Sequence, residues 1–187
     1  MYLRPSTALD AFRVAILRWI GRMTVNRERA LVLTDFEFPP QKSRGLSCLD
    51  VMDLLTRGPE LDELDPILAT GSSFLVDDDL WVRGAERARA FCQEQGWASE
   101  LRGEPERGYI RVQRAGAQVA TRDAVRLATH WLEQGFSRCL IGTRALLGEG
   151  WDCRSLNTLV DLTVVTSGVA TRPESSPSRP GPRCVAA

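Results

Sequence analysis

Short apolar runs separated by helix-length amphipathic segments constrain the fold of this chain more than any other feature. Four such runs lie at residues 30–34, 67–71, 138–143 and 158–163. Apolar side chains at successive positions predict strands that are buried on both faces, which is typical of parallel sheets covered by helices. Because strands that alternate with helices imply right-handed crossovers, the order predicts an α/β fold with a mainly parallel sheet.

A capping box marks the best-defined helix of the sequence. Ser47 is followed by Asp50 at the third position, a pattern in which each side chain accepts a hydrogen bond from the other residue's backbone. The apolar residues of this segment predict a buried face made of Cys48, Val51, Met52 and Leu55. Apolar spacing also predicts helices over 8–22, 81–95 and 121–134 and short strands over 74–76 and 109–113.

Length and composition favour one globular domain. The chain has 187 residues, with 24 basic and 24 acidic side chains and 43% hydrophobic residues. It contains no apolar run of the ~20 residues that a transmembrane helix needs. Arg13 and Arg18 interrupt the most apolar stretch, and no small-residue cleavage site follows it, so we expect neither a signal peptide nor a membrane partner, and a cytoplasmic location.

Cysteine and histidine usage argues against a metal or disulfide framework. The five cysteines are dispersed, without a Cys-x-x-Cys pair, and His130 is the single histidine. The one acidic candidate for a divalent cation is Asp77-Asp78-Asp79, but three adjacent acids are more often a solvated turn at the start of a helix. We therefore predict no metal site.

The amino-acid composition of the sequence changes after Thr166. Four of the ten prolines lie between residues 173 and 182, and no apolar periodicity accompanies them. Such a segment cannot bury enough apolar surface to offset the entropy of ordering the chain. The sequence therefore predicts a folded domain over 1–166 and a disordered Pro/Ser-rich tail over 167–187.

The loop at 142–152 is the strongest candidate for a ligand site, because it follows a predicted parallel strand. Thr143 and Arg144 are suited to hold a phosphate, and Asp152 is suited to accept a ribose hydroxyl. The alternative is a strand-to-helix turn with an incidental charge pair. Neither Gly-x-Gly-x-x-Gly nor Gly-x-x-x-x-Gly-Lys-[Ser/Thr] occurs in the chain.

The residues of this loop resemble a known family. Residues 139–152, CLIGTRALLGEGWD, resemble the fifth conserved motif of superfamily 2 (DEAD/DEAH-type) helicases, which lies in their second, C-terminal RecA-like domain. Residues 155–163, SLNTLVDLT, continue the resemblance, and residues 30–37, ALVLTDFE, are similar to the strand that opens this domain. The resemblance implies a single RecA-like three-layer domain.

The resemblance also implies roles for four residues. Thr143 matches the threonine that touches the nucleic-acid backbone in the family, and Arg144 stands beside it where many members have aspartate. Gly150 and Asp152 match the glycine and aspartate that face the nucleotide across the cleft between the two helicase domains. Trp151 lies inside the motif and is a candidate for base stacking, whereas the other four tryptophans are dispersed as core residues usually are.

Three motifs of an active helicase are missing from the sequence. Neither the phosphate-binding loop with its lysine nor the magnesium-binding acidic motif occurs, and no Gln-x-x-Gly-Arg-x-x-Arg pattern follows Thr166. We therefore expect no catalytic residue and no ATP hydrolysis by this chain alone. ATP and magnesium would bind only in a complete two-domain helicase, with the first RecA-like domain supplied by another chain.

Two alternatives to a nucleic-acid-contacting helicase domain stay open. The first is a remnant or interaction module without ligand, as a truncated or frameshifted helicase gene would produce. The second is an unrelated nucleotide-binding enzyme, which would need a phosphate loop that the sequence lacks.

Overall fold

The structure is a computed structural model that describes residues 29–39, 46–57, 63–97, 100–114, 116–147 and 151–163, and the backbone of 183–186. Within these residues the helices are α1 (Cys48–Leu55), α2 (Asp78–Glu94), α3 (Thr121–Glu133) and the short α4 (Arg144–Leu147). The strands are β1 (Ala30–Thr34), β2 (Ile67–Ala69), β3 (Phe74–Asp77), β4 (Leu101–Glu106), β5 (Tyr109–Arg114), β6 (Ala117–Gln118), β7 (Cys139–Thr143), β8 (Thr158–Asp161) and β9 (Arg183–Ala186).

The described strands form one mixed sheet in the order β4-β5-β3-β2-β7-β1-β8-β9, with β6 paired to β5. In this spatial order, the pairs β2–β7, β7–β1, β1–β8 and β8–β9 are parallel. The pairs β2–β3, β3–β5, β4–β5 and β5–β6 are antiparallel. The α/β class is thus confirmed. The expectation of a mainly parallel sheet is not confirmed for the sheet as a whole, because it describes only the half around β1.

Two short connections explain the antiparallel half. The turn between β2 and β3 closes with a hydrogen bond from Thr70 N to Ser73 O at 2.9 Å. A connection this short joins only antiparallel neighbours, whereas a parallel pair needs a long crossover. Between β4 and β5, Arg107 and Gly108 have φ of 54° and 93°, as a two-residue hairpin turn requires.

Helices cover both faces of the parallel half. Along β1, Ala30 and Val32 pack in the cluster that holds α1, while Leu31 and Leu33 pack in the cluster that holds α2 and α3. All five residues of β1 are buried, which confirms the prediction of strands covered on both faces. None of the helices in the described ranges is long and apolar enough to cross a membrane.

The capping box of α1 is confirmed in both directions. Ser47 Oγ accepts from Asp50 N at 3.1 Å, and Asp50 Oδ2 accepts from Ser47 N at 2.9 Å. The buried residues of α1 are the four that the sequence predicts, Cys48, Val51, Met52 and Leu55. Helix α2 begins at Asp78, three residues before the prediction, because Asp77 caps it through a hydrogen bond from Asp79 N.

Some predictions fall outside the described residues or differ from them. The predicted helix over 8–22 lies outside them, as do residues 164–182 of the chain. The backbone of Arg183–Ala186 pairs in parallel with β8, so four residues of the predicted tail over 167–187 form a strand. Strand β4 was not predicted, because only Leu101 among its six residues is buried and apolar alternation is absent.

Candidate functional site

Strands β2, β7, β1 and β8 end together at the carboxyl edge of the parallel half. The register places Thr143 beside Thr34, Gly142 beside Ala69, and Asp161 beside Leu33. Thr143 therefore lies at the centre of this edge, at the end of a strand with parallel neighbours on both sides. Loops at this edge are where open α/β sheets bind ligands.

Four side chains form what we call the edge set: Thr143, Arg144, Asp161 and Thr163. Arg144 is exposed, and its Nη1 donates to Thr163 Oγ1 at 3.4 Å. Thr163 Oγ1 donates to Asp161 Oδ1 at 2.6 Å, and the same carboxylate oxygen accepts from Thr163 N at 3.0 Å. The guanidinium is thus held toward β8 by a neutral hydroxyl, and it forms no ion pair with a carboxylate in the described ranges.

The two threonines that end β1 and β7 differ in how their hydroxyls are used. Thr34 is fully buried; its Oγ1 donates to Phe36 O at 2.9 Å and lies 3.0 Å from Cys48 Sγ. Burial raises the pKa of the Cys48 thiol to about 11, so this contact is between neutral groups. Thr143 is half-buried, and its hydroxyl has no hydrogen-bond partner within the described part of the chain. Among the described residues, the hydroxyl of Thr143 thus leaves its hydrogen bonds unused, whereas that of Thr34 is used inside the fold.

Asp152 lies on the side of the sheet that α2 and α3 cover. It is exposed and forms no ion pair with the residues that the structure describes. Together with Trp151 it lines a cleft of about 450 Å³, which we call the helical cleft. The other lining residues come from α2 and α3 and from the turn that ends α2: Phe91, Gln95, Val125, Arg126, Thr129, His130 and Glu133.

Trp151 is half-buried against α3. Its Nε1 donates to Thr129 Oγ1 at 3.1 Å, and Thr129 Oγ1 donates in turn to Val125 O at 2.8 Å. This chain fixes the indole on the helix, so Trp151 is part of the lining of the helical cleft. Gly150 lies outside the described residues.

The predicted site residues thus fall into two sets. Thr143 and Arg144 meet at the carboxyl edge, and Asp152 lies in the helical cleft. Within the described ranges no hydrogen bond or ion pair joins these two sets. Sequence reasoning did not single out Asp161 and Thr163, although both lie in the segment 155–163 that continues the helicase resemblance.

The acidic run at 77–79 lies at the opposite edge of the sheet, where the antiparallel strand β3 ends beside the start of β2. Asp77 is buried and caps α2, and Asp77 N donates to Pro66 O at 3.0 Å, next to the start of β2. Burial and the neighbouring Asp78 raise the pKa of the Asp77 carboxyl to about 6. Although the carboxylate oxygens of the three residues lie within 4.8 Å of one another, Asp78 and Asp79 are exposed, and the capping role accounts for Asp77.

Comparison of the chain with protein-family models, with curated proteins and with solved structures finds no match. The resemblance of residues 139–152 to a helicase motif therefore rests on those residues alone. The arrangement of the edge set and of the helical cleft is the independent observation that bears on function.

Proposed function

We propose that this chain is a RecA-like domain similar to the C-terminal domain of superfamily 2 helicases and that it contacts nucleic acid and nucleotide without being catalytic alone. Thr143 and Arg144 bind the nucleic-acid backbone, while Gly150 and Asp152 face the nucleotide. ATP and magnesium enter only when another chain supplies the first RecA-like domain. A parallel half of five strands, with helices on both faces of its central strand β1, supports the RecA-like assignment.

One observation carries the nucleic-acid contact. At the carboxyl edge of parallel strands, Thr143 and Arg144 follow each other in the chain, and among the described residues the hydroxyl has no hydrogen-bond partner and the guanidinium has no carboxylate partner. A guanidinium offers a planar fork of N–H donors that matches phosphate oxygens. A hydroxyl at the end of β7 adds a neutral donor without adding charge. Such contacts position a backbone and carry no sequence information.

The test is binding of a labelled single-stranded oligonucleotide at low ionic strength, followed by fluorescence anisotropy. We expect Arg144→Ala to weaken binding by about 5–30-fold, because a charge-assisted phosphate contact contributes about 1–2 kcal/mol. The slope of log K against log salt should fall by about 0.7 for this lost contact. Thr143→Val keeps the shape of the side chain but removes the hydroxyl, and we expect a loss of about 2–5-fold.

The matched control is Arg102→Ala. Arg102 is exposed on β4, and β5, β3 and β2 separate that strand from β7. Its removal lowers the net charge by the same amount as Arg144→Ala, so it reports the non-specific electrostatic contribution. Equal binding by wild type and all three variants, or no binding at any salt concentration, would overturn the proposal in favour of a remnant module without ligand.

A further inference from the structure

Apart from Asp152, which the proposed function assigns to the nucleotide, the residues that line the helical cleft have no part in that function. It lies between α2, α3 and residues 151–152, and its volume of about 450 Å³ is within the range of small-molecule sites. Phe91 and His130 stack with ring centroids 4.2 Å apart and an interplanar angle of 18°. The cleft therefore combines stacked flat rings, an indole that Thr129 fixes in place, and an open side toward solvent.

The charges around this cleft are mainly negative. Glu133 and Asp152 line it, and Glu94 faces His130 from α2. None of these three carboxylates forms an ion pair within the part of the chain that the structure describes. The lining contains one cation, Arg126, whose Nη2 donates to Gln95 Oε1 on the same rim.

The pKa of His130 depends on the acidic residues around the cleft. Burial lowers the pKa of its imidazole, while the charges of Glu94 and Glu133 act in the opposite direction. The two carboxylates therefore lie near the ring, one on each of the two packed helices. A neutral ring that is bordered by acids is a suitable surface for a cation and an unsuitable one for a phosphate.

We propose that the helical cleft binds an alkylguanidinium group, either as the side chain of an arginine in a peptide or as a free guanidino amine. A guanidinium is planar and stacks on aromatic faces, and its N–H fork can bind the Glu133 carboxylate at two points. Its aliphatic stem can pack on Val125 and Phe91. An ammonium ion lacks the planar face and is more strongly hydrated, so it fits this lining less well.

The experiment uses His130 because it is the single histidine of the chain and gives one ring resonance. With ¹³C-labelled histidine, agmatine is titrated while the Hε1–Cε1 signal is followed by NMR. We expect a saturable shift of this signal and, at saturation, a histidine titration midpoint moved to lower pH by the added positive charge. 1,5-Diaminopentane, a dication of similar length with an ammonium in place of the guanidinium, should bind at least about threefold more weakly.

The variant Glu133→Gln should weaken agmatine binding by about 3–10-fold. Glu86→Gln is the matched control, since Glu86 is an exposed carboxylate on α2 outside the lining, and it should bind as wild type does. An acetylated Gly-Arg-Gly amide forms the second arm: tighter binding than agmatine assigns the site to a peptide arginine, and weaker binding assigns it to a free guanidino amine.

An absent or non-saturable shift overturns the proposal, and so does equal weakening in Glu133→Gln and Glu86→Gln. The oligonucleotide assay separates this result from the proposed function. Because Glu133 does not belong to the edge set, Glu133→Gln should bind oligonucleotide as well as the Glu86→Gln variant does. The loss of agmatine binding with intact oligonucleotide binding would therefore concern the helical cleft alone.

Discussion

The two halves of the sheet bury their strands in different ways. In the parallel half, all residues of β1 and β2 are buried, as are four of the five residues of β7. In the antiparallel half, β3 adjoins β2 and is buried throughout, but β4 and β5 of the hairpin bury only one and two of their six residues, respectively. Helices cover both faces of the first half, whereas the hairpin of the second is largely open to solvent.

Because of this difference, we expect substitutions to destabilise the parallel half more than the hairpin. A side chain in the parallel half contacts a helix on its own face and neighbouring strands on both sides, so a lost methylene leaves a cavity that cannot collapse easily. The hairpin can shift outward instead. The same arrangement places the edge set where rigid, doubly covered strands end, which keeps Thr143 and Arg144 in fixed positions.

The largest effect is expected when an isoleucine is replaced by alanine in the parallel half, and the same substitution in the hairpin tests the comparison. Ile141 is fully buried on β7 between Val32 and Leu68, whereas Ile110 on β5 is half-buried. We expect Ile141→Ala to lower the free energy of unfolding by about 2–5 kcal/mol and Ile110→Ala by about 1 kcal/mol. Urea unfolding followed by circular dichroism measures both. Similar losses in the two variants would contradict the idea of an unequal sheet.

Gly→Ala substitutions in each half sharpen the comparison, because they add a methyl group to the packed structure instead of removing side-chain atoms. A Cβ at Gly142 would lie 3.0 Å from the carbonyl oxygen of Ala69 and would clash with Leu147 of α4. At Gly103, a Cβ would meet the Ile110 side chain at 2.6 Å and the Trp81 ring at 2.5 Å. We expect Gly142→Ala to cost about 1–3 kcal/mol, because a buried backbone neighbour cannot move aside.

Gly103→Ala should cost about 1 kcal/mol or less, since β4 has no second strand neighbour in the described sheet and can shift with its hairpin. Gly142→Ala should also weaken oligonucleotide binding, because a displaced Leu147 moves the helix that begins at Arg144. Thermal unfolding and the anisotropy assay together measure these effects. A larger loss of stability in Gly103→Ala would show that the hairpin is the more rigid element.

The same contrast explains how much of the fold the sequence predicts. Strands buried on both faces appear as continuous apolar runs, and the predictions for β1, β2, β7 and β8 agree with the structure within two residues at each end. Strand β4 carries Gly103 and Pro105 and buries only Leu101, so neither alternation nor an apolar run marks it. The antiparallel pairing of β2 with β3 depends on the short turn at 70–73. The apolar runs that predict the strands do not contain information about pairing direction.

For the candidate site, the sequence predicts which residues follow a strand end better than it predicts which of them lie close together in the fold. Thr143 and Arg144 follow directly from the end of a strand, and the structure places them at the expected edge. Asp152 is nine residues further along, and its location in the helical cleft depends on the contact of Trp151 with Thr129. A contact between residues so distant in sequence leaves no periodic signal.

The last prediction concerns Asp77, which is the final residue of β3, the antiparallel strand that adjoins β2. Its carboxyl is buried, and its pKa is raised from 3.8 to about 6, so the folded state binds this proton more tightly than the unfolded state does. Below about pH 4 both states carry the proton and the group costs nothing. As the pH rises from about 4 to 6, the unfolded chain loses the proton first, and this group lowers the stability of the fold. Asn accepts the same capping hydrogen bond from Asp79 N but cannot ionise.

Asp77→Asn should therefore match wild type near pH 4 and exceed it by about 1–2 kcal/mol at pH 7.5, less than the limit of about 3 kcal/mol set by 1.36 kcal/mol per pKa unit. Chemical denaturation at five pH values between 4 and 8 gives the difference curve, and Glu86→Gln on α2, the helix that Asp77 caps, controls for the removal of one negative charge. A flat difference curve would show that the carboxylate of Asp77 is solvated when ionised. In that case water reaches the sheet at the junction of β3 and α2 as well as along the hairpin, and the fully buried part of the sheet ends at β2.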